Sequence, residues 1–292
     1  MDPDTVKAMV TERLEAWAAV HKNTGSRLPD NIIYFRDGVS SGHYPKVQQY
    51  ELEAIRAAYA TMRTKLGLKP KALPLTAVIV TKRHHTRFYP IDDADKDKYG
   101  NANCKPGTCV DRLVTSPYYQ DFYLQSHSGI KGTARPTHYF AIENTIPGMT
   151  LEALRDLTNN LSYSYVRSMT SVSYVSPTYY ADRLCERGRL YIRNFFNGDD
   201  AALWGEYRAF KSNLEATLKE VRATAFGKES HAKTKAEREM EKRHADKVDH
   251  DSKDFVFSKI KEEFYRFKDE EETGDGWGNP WADSVADTMF WM

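Results

Sequence analysis

No long apolar run occurs anywhere in the 292-residue sequence. The longest, Leu75 to Val80, falls far short of the roughly 18 residues that a membrane span needs, and it suits a buried strand. The opening Met-Asp-Pro-Asp is acidic and has no apolar stretch behind it, unlike a secretory signal. Cysteine is scarce. There are three, Cys104, Cys109 and Cys185, and the first two are too far apart for a CxxC redox or zinc pair. No His cluster completes a metal site. These features imply a reducing, intracellular setting, with cytoplasmic localisation expected and no membrane partner.

Net charge is also nearly absent, at +1, but the balance is uneven along the chain. Residues 1–198 hold 26 Lys and Arg against 19 Asp and Glu, and residues 199–292 hold 16 against 22. A basic body followed by an acidic tail points to an anionic partner for the body, nucleic acid among them.

Helical and strand-like periodicities alternate through residue 198. Val6, Met9, Val10, Leu14 and Trp17 mark an opening helix, and Leu52, Ile55, Tyr59, Met62 and Leu66 a second, closed by Gly67. Strands are predicted at Ile32–Phe35, Leu75–Thr81, Val110–Val114, Asp121–Ser126 and Thr137–Ile142. A polar loop covers 91–107. Helices are predicted over Leu151–Arg167, after a Thr150 N-cap, and over Tyr179–Ile192, started after Pro177. The pattern is that of an α/β module with helices on a mixed sheet. Beyond it, 201–226 is an amphipathic helix, 227–254 a densely charged stretch (a solvated helix or a disordered segment), and Phe255–Phe267 helical again. The apolar ending Thr288-Met-Phe-Trp-Met is expected to dock back on the body.

Four segments carry candidate chemistry. Asp37 ends a buried strand, where α/β sheets place their ligands, although Asp-Gly also simply makes a turn. Thr81-Lys-Arg-His-His-Thr-Arg87 offers cations and imidazoles to phosphates, or is a solvated loop. Ser126-His-Ser-Gly-Ile-Lys-Gly-Thr-Ala-Arg-Pro136 mixes glycines, hydroxyls and cations without any Walker spacing. Tyr165-Val-Arg167, Ser173 and Pro177 through Asp182 follow, with Asp182 in the first turn of a helix that favours a carboxylate there.

Taken in order, Arg36-Asp-Gly-Val-Ser, Lys82-Arg-His-His-Thr-Arg, His127 through Pro136, Tyr165-Val-Arg and Pro177-Thr-Tyr-Tyr-Ala resemble the C-terminal part of the eukaryotic Argonaute PIWI domain. The terminal Thr-Met-Phe-Trp-Met resembles that family's ending. The resemblance implies an RNase H-like mixed sheet flanked by helices, lacking its first strands, with a charged helical insert near the C-terminus. Residues 1–198 are then a partial PIWI domain, 199–276 the insert or linker, and 277–292 the segment docking back.

Active members of that family cut RNA with four residues holding two divalent ions, Mg²⁺ or Mn²⁺. By motif position Asp37 and Asp182 are the third and fourth. The first Asp and the Glu would fall at or before Met1, and Asp2 or Asp4 would be short substitutes. This chain alone is therefore expected to be a piece of a longer one, and not to cleave RNA. Mg²⁺-dependent cutting abolished by Asp37→Ala would overturn that expectation.

For RNA binding the resemblance carries over Lys82, Arg83, Arg87, His127, Arg135, Tyr165, Arg167, Ser173 and Tyr179 as guide-backbone positions. Arg187 is carried over to the guide's 5′-phosphate. The implied partners are a guide small RNA, a target RNA and the preceding part of an Argonaute chain. Competing readings are a non-catalytic nucleic-acid-binding module and a protein-docking scaffold built on 199–276.

Overall fold

The computed structural model describes residues 1–23, 27–99, 102–191, 193, 201–226 and 234–269. They fall into two compact units, Met1–Asp182 and Arg183–Met292. No helix among the described residues is long and apolar enough to cross a membrane.

The first unit is a five-stranded mixed sheet with helices. Helix α1 spans Pro3–Val20, begun by Asp2, whose carboxylate accepts from Thr5 N at 2.8 Å, and by Pro3 in the first turn. It buries Val6, Leu14 and Ala18. Met9 and Trp17, expected in the same stripe, are exposed on its flank, and Trp17 stacks on His21 at 4.2 Å. Strand β1 is Ile32–Asp37. Irregular helical turns from Ser41 to Leu52 lead into α2, Glu53–Lys65, which packs on α1.

Strand β2, Leu75–Thr81, lies between β1 and β5 (Thr137–Asn144). Strands β3 (Thr108–Val110) and β4 (Gln120–Gln125) complete the order β1-β2-β5-β4-β3. Among the described residues only the β1–β2 pair is parallel. Because side chains alternate along a strand, β2 feeds both faces of the sheet. Leu75, Ala77 and Ile79 join α1 and α2 in one core. Val78 and Val80 join Phe122, Leu124, Tyr139, Leu154 and Val175 in the other. Each fully buried aliphatic side chain contributes roughly 1.5–3 kcal/mol, so a strand apolar on both faces belongs in the middle.

Two expected elements stop short. The strand expected at Val110–Val114 ends at Val110, and the chain turns away. Leu113 is left fully exposed at φ +69°. Asp121 Oδ1 accepts from Ser116 N at 2.8 Å and Arg155 holds Asp111 at 3.1 Å, and these bonds favour a turn over a longer ladder. Helix α3 covers Leu151–Leu161, started as expected by Thr150 Oγ1 accepting from Ala153 N at 3.1 Å. It does not continue to Arg167. Ser162 and Ser164 donate their hydroxyls to the carbonyls of Asn159 and Leu161, at 2.6 and 2.8 Å, and offer the backbone an alternative to another turn. Helix α4 is Ser176–Tyr191, with Pro177 in its first turn.

In the second unit, α5 (Ala201–Phe226) and α6 (Lys235–Asp269) pair antiparallel. Phe210 stacks on Phe255 at 4.5 Å, and Arg222 meets Glu241 at 2.6 Å. The start of α6 is a capping box, with Thr234 N donating to Glu237 Oε2 at 2.6 Å and Glu237 N to Thr234 Oγ1 at 3.3 Å. The charged stretch is thus helical from Lys235. The segment 277–292, expected to dock back, lies outside the described residues.

Candidate nucleic-acid interface

The C-terminal end of β2 and the segment before α4 meet at Lys82. Its ammonium donates to Ser173 Oγ, and Ser173 Oγ and Tyr179 OH are 3.0 Å apart. Lys82 also lies over the Tyr174 ring, 5.5 Å from its centroid, and Tyr174 stacks on Tyr179 at 4.0 Å. Tyr165, itself buried, packs against Tyr179 at 5.0 Å and Tyr180 at 5.2 Å. Five of the residues expected to line an RNA backbone (Lys82, Tyr165, Ser173, Tyr179 and, through charge, Arg135) therefore share one patch.

Electrostatics sharpen the picture. Burial first, and the Arg135 charge second, push the Lys82 pKa down to about 8. No carboxylate among the described residues forms an ion pair with either cation. His127 sits nearby, its pKa lowered to about 4 by burial and then by Lys82, with Asp97 pulling the other way. Lys82 is thus a half-buried cation opposed by the charge of the exposed Arg135, the reverse of a structural salt bridge. An anion placed here would relieve the repulsion.

Hydroxyls hold the segment 171–175 against the sheet. Ser171 Oγ donates to Ser126 O and Ser126 Oγ to Val172 O, both at 2.5 Å, and Thr137 Oγ1 donates to Ser173 O at 2.6 Å. Val175 N donates to Tyr139 OH at 3.0 Å. The loop 127–135 is clamped by Asn103, whose amide nitrogen donates to Gly132 O at 2.9 Å while its oxygen accepts from Ala134 N at 2.7 Å. Tyr180 donates to Ser164 O and accepts from Val166 N, which fixes the backbone just before the exposed Arg167.

Other expected residues are placed apart from this patch. Arg83 is exposed. Arg87 donates to the carbonyls of His84 and Thr86, at 3.1 and 2.7 Å. His84 turns inward. Its Nε2 donates to Pro136 O at 2.8 Å and burial lowers its pKa, so it braces the loop and is not aimed at a phosphate. Arg187 belongs to the second unit. Tyr174 and Asn103 gave no signal in the sequence, since one is a lone aromatic between serine and valine and the other lies in a polar loop.

Asp37 and Asp182 are both exposed. Asp37 Oδ1 accepts from Gly38 N at 2.6 Å, and Gly38 has φ +74°, the left-handed turn that glycine allows. Arg36 anchors this corner. It donates to Asp37 O at 2.5 Å and to the buried Glu51 at 2.9 Å, and Tyr34 OH also donates to Glu51, at 2.8 Å. Small divalent ions demand several oxygen donors each. Among the described residues no group of three or more His, Cys, Asp or Glu is gathered to hold a metal. Two carboxylates do not make up a two-ion centre.

A model of the Piwi domain matches residues 3–193. Protein argonaute-2 of Drosophila melanogaster is 44% identical over 173 residues, 59% of this chain and 14% of that protein. Protein argonaute MEL1 of Oryza sativa subsp. japonica is 45% identical over 181 residues, 61% of this chain and 16% of that protein. Among solved structures, Kluyveromyces polysporus Argonaute with a guide RNA aligns at TM-score 0.57 and 35% identity, covering 63% of this chain and 22% of that one. The C-terminal lobe of a budding yeast Argonaute aligns at TM-score 0.58 and 34% identity, covering 65% and 38%. The chain thus spans a small part of the length of these curated relatives.

Proposed function

The chain belongs to the Piwi-domain family of Argonaute proteins, and from that premise we propose that its first unit grips the sugar-phosphate backbone of a guide small RNA, holding it for pairing with a target RNA in RNA silencing. The observation that carries this reading is Lys82, half-buried beside Arg135 with hydroxyl and aromatic partners and no acidic one among the described residues. Such a cation is poorly compensated until a phosphate arrives. Lys82, Arg83, Arg87, His127, Arg135, Arg167 and the hydroxyls of Ser173 and Tyr179 serve as backbone contacts, supported by the aromatic packing of Tyr165. Arg187 serves the guide's 5′-phosphate. Contacts of this kind position an RNA without reading it, and base pairing supplies the sequence selectivity.

Were an RNase H-like sheet to extend beyond β1 in a longer chain, Asp37 and Asp182 would be two of the carboxylates of a divalent-metal-dependent endoribonuclease acting in the cytoplasm. Guide holding needs none of that chemistry. It is tested by the salt dependence of binding to a short single-stranded RNA, followed by fluorescence anisotropy. Affinity should fall steeply between low and physiological salt. Removing one phosphate-gripping cation should flatten the logarithmic slope by about 0.7, so Arg135→Ala and Arg167→Ala should each do so. A flat salt response in the unmodified chain would refute the reading.

A further inference from the structure

Asp97 places one carboxylate beside the proposed RNA-backbone patch, where it acts on His127. Asp97 is only 6% exposed. Its amide donates to Asn103 O at 2.8 Å, and Asn103 in turn clamps Gly132 and Ala134, so the loop 91–107 and the loop 127–135 are tied together. One carboxylate oxygen, Oδ1, accepts from Lys98 N at 2.8 Å and from Ser128 Oγ at 3.3 Å. The other, Oδ2, is buried and has no hydrogen-bond partner among the described residues. His127, the immediate neighbour of Ser128, presents a buried Nδ1 in the same condition.

An orphaned buried carboxylate oxygen is costly, and so is an orphaned buried ring nitrogen. The two are of complementary type. A carboxylate oxygen only accepts, and Nδ1 donates once it carries a proton. The charged groups that act on His127 are Lys82, from the end of β2, and Asp97. They oppose one another, so the proton on His127 is set by which of them is neutralised. A phosphate on Lys82 would neutralise that side and leave Asp97 to prevail.

We propose that Asp97 is a positioning residue for His127: its Oδ2 accepts from Nδ1–H through one bridging water, and, below the bound-state pKa of His127, binding of an RNA phosphate at Nε2 is accompanied by uptake of one proton to give the imidazolium. The neutral ring of the free protein is then the Nδ1–H tautomer. Its Nε2 is an acceptor until a second proton arrives, and after that it donates to the phosphate oxygen while Nδ1–H remains on Asp97. The proposal rests on the reading of the patch as an RNA-backbone site, and it adds the residue that makes one of its contacts depend on pH. Above the bound-state pKa of His127 binding requires no proton there. Between the bound value and the free value near 4, binding strengthens as pH falls.

The test is an NMR titration of the histidines in the 292-residue chain, with the His127 resonance identified among the nine by its loss in His127→Gln. In the free protein, Asp97→Asn should move the His127 midpoint further down, by about half a unit or more, while Asp97→Glu leaves it close to wild type. With a seven-nucleotide oligouridylate bound, the wild-type midpoint should rise by about a unit, and less in Asp97→Asn. Nitrogen shifts should report Nδ1–H in the neutral free ring. An unchanged or raised His127 midpoint in a folded Asp97→Asn chain overturns the proposal, as does an Nε2–H tautomer or RNA binding that leaves His127 unmoved. If Asp97→Asn also disturbs the other eight resonances, the wild-type tautomer decides. Should the oligouridylate not bind at all, the RNA reading fails, and the free-protein measurements still judge the Asp97–His127 pair.

Discussion

The Lys82 ammonium stands at the end of a buried strand, bonded to a serine hydroxyl and facing the Arg135 charge. A lysine whose pKa is lowered by folding makes the folded state less stable where it is charged, below about 8, than where both states are neutral. Lys82→Met should therefore leave stability unchanged or raised, as replacing poorly compensated buried charges often does. The same change should weaken RNA binding by roughly tenfold, the usual worth of a charge-assisted hydrogen bond. In the wild type, affinity should decline as pH rises through about 8, because bound phosphate must then recruit a proton to Lys82. That decline should vanish in Lys82→Met. Thermal melts and anisotropy at constant ionic strength check both halves. Glu51 is the opposite case. Burial pushes its pKa up, but bonds from Arg36, the N-terminal ammonium and Tyr34 outweigh burial and hold it below the usual carboxylate value. Its stabilising contribution is present above the ordinary glutamate pKa and is lost as pH falls through the lowered one. Glu51→Ala should cost about 3 kcal/mol in denaturant unfolding, since it strands Arg36.

At the scale of elements, the proposed RNA-backbone patch takes Lys82 from the end of β2 and Tyr179 from α4, and its other members from irregular segments. Asn103 locks the loop 127–135, and Gly129 passes so close that an added Cβ would lie 2.4 Å from Asn103 Nδ2. Gly129→Ala should displace that amide, destabilise the first unit by about 1–3 kcal/mol and weaken RNA binding along with it. Retained affinity in a destabilised Gly129→Ala chain would show that the loop is not needed. The elements themselves were legible to different degrees. Leu75–Thr81 announced a central strand because both its faces are apolar, and Thr150 announced α3 because N-capping is a local bond. Val110–Val114 misled, because its apolar character is overridden by Asp121 and Arg155, side chains that reach the turn from other elements. The early end of α3 at Leu161 has a similar origin in the serine hydroxyls that close it.

Over the whole molecule, the family match ends at residue 193, while the α5–α6 hairpin lies beyond it. If guide holding resides in the first unit, a chain cut after residue 193, which keeps α4 whole, should bind short RNA within about threefold of the full chain, a difference near 0.6 kcal/mol. A reduction of tenfold or more would assign part of the grip to the hairpin, and would favour a role for residues 199–276 beyond that of a solvated insert.

From its sequence this protein could be read for what depends on residue type and local order: an α/β alternation, a basic body, and motifs whose sequence order resembles a Piwi domain. Lys82, His127, Arg135 and Ser173 could be named there because they fall at positions that the resemblance carries over. Only the tertiary structure decided which of them meet. The Lys82–Ser173 contact spans 91 residues of chain, and Tyr174 and Asp97 stand beside Lys82 and His127 solely because folding brings them there. Burial, which turns an ordinary lysine and histidine into groups poised to bind an anion, is a property of neighbours that no single position records.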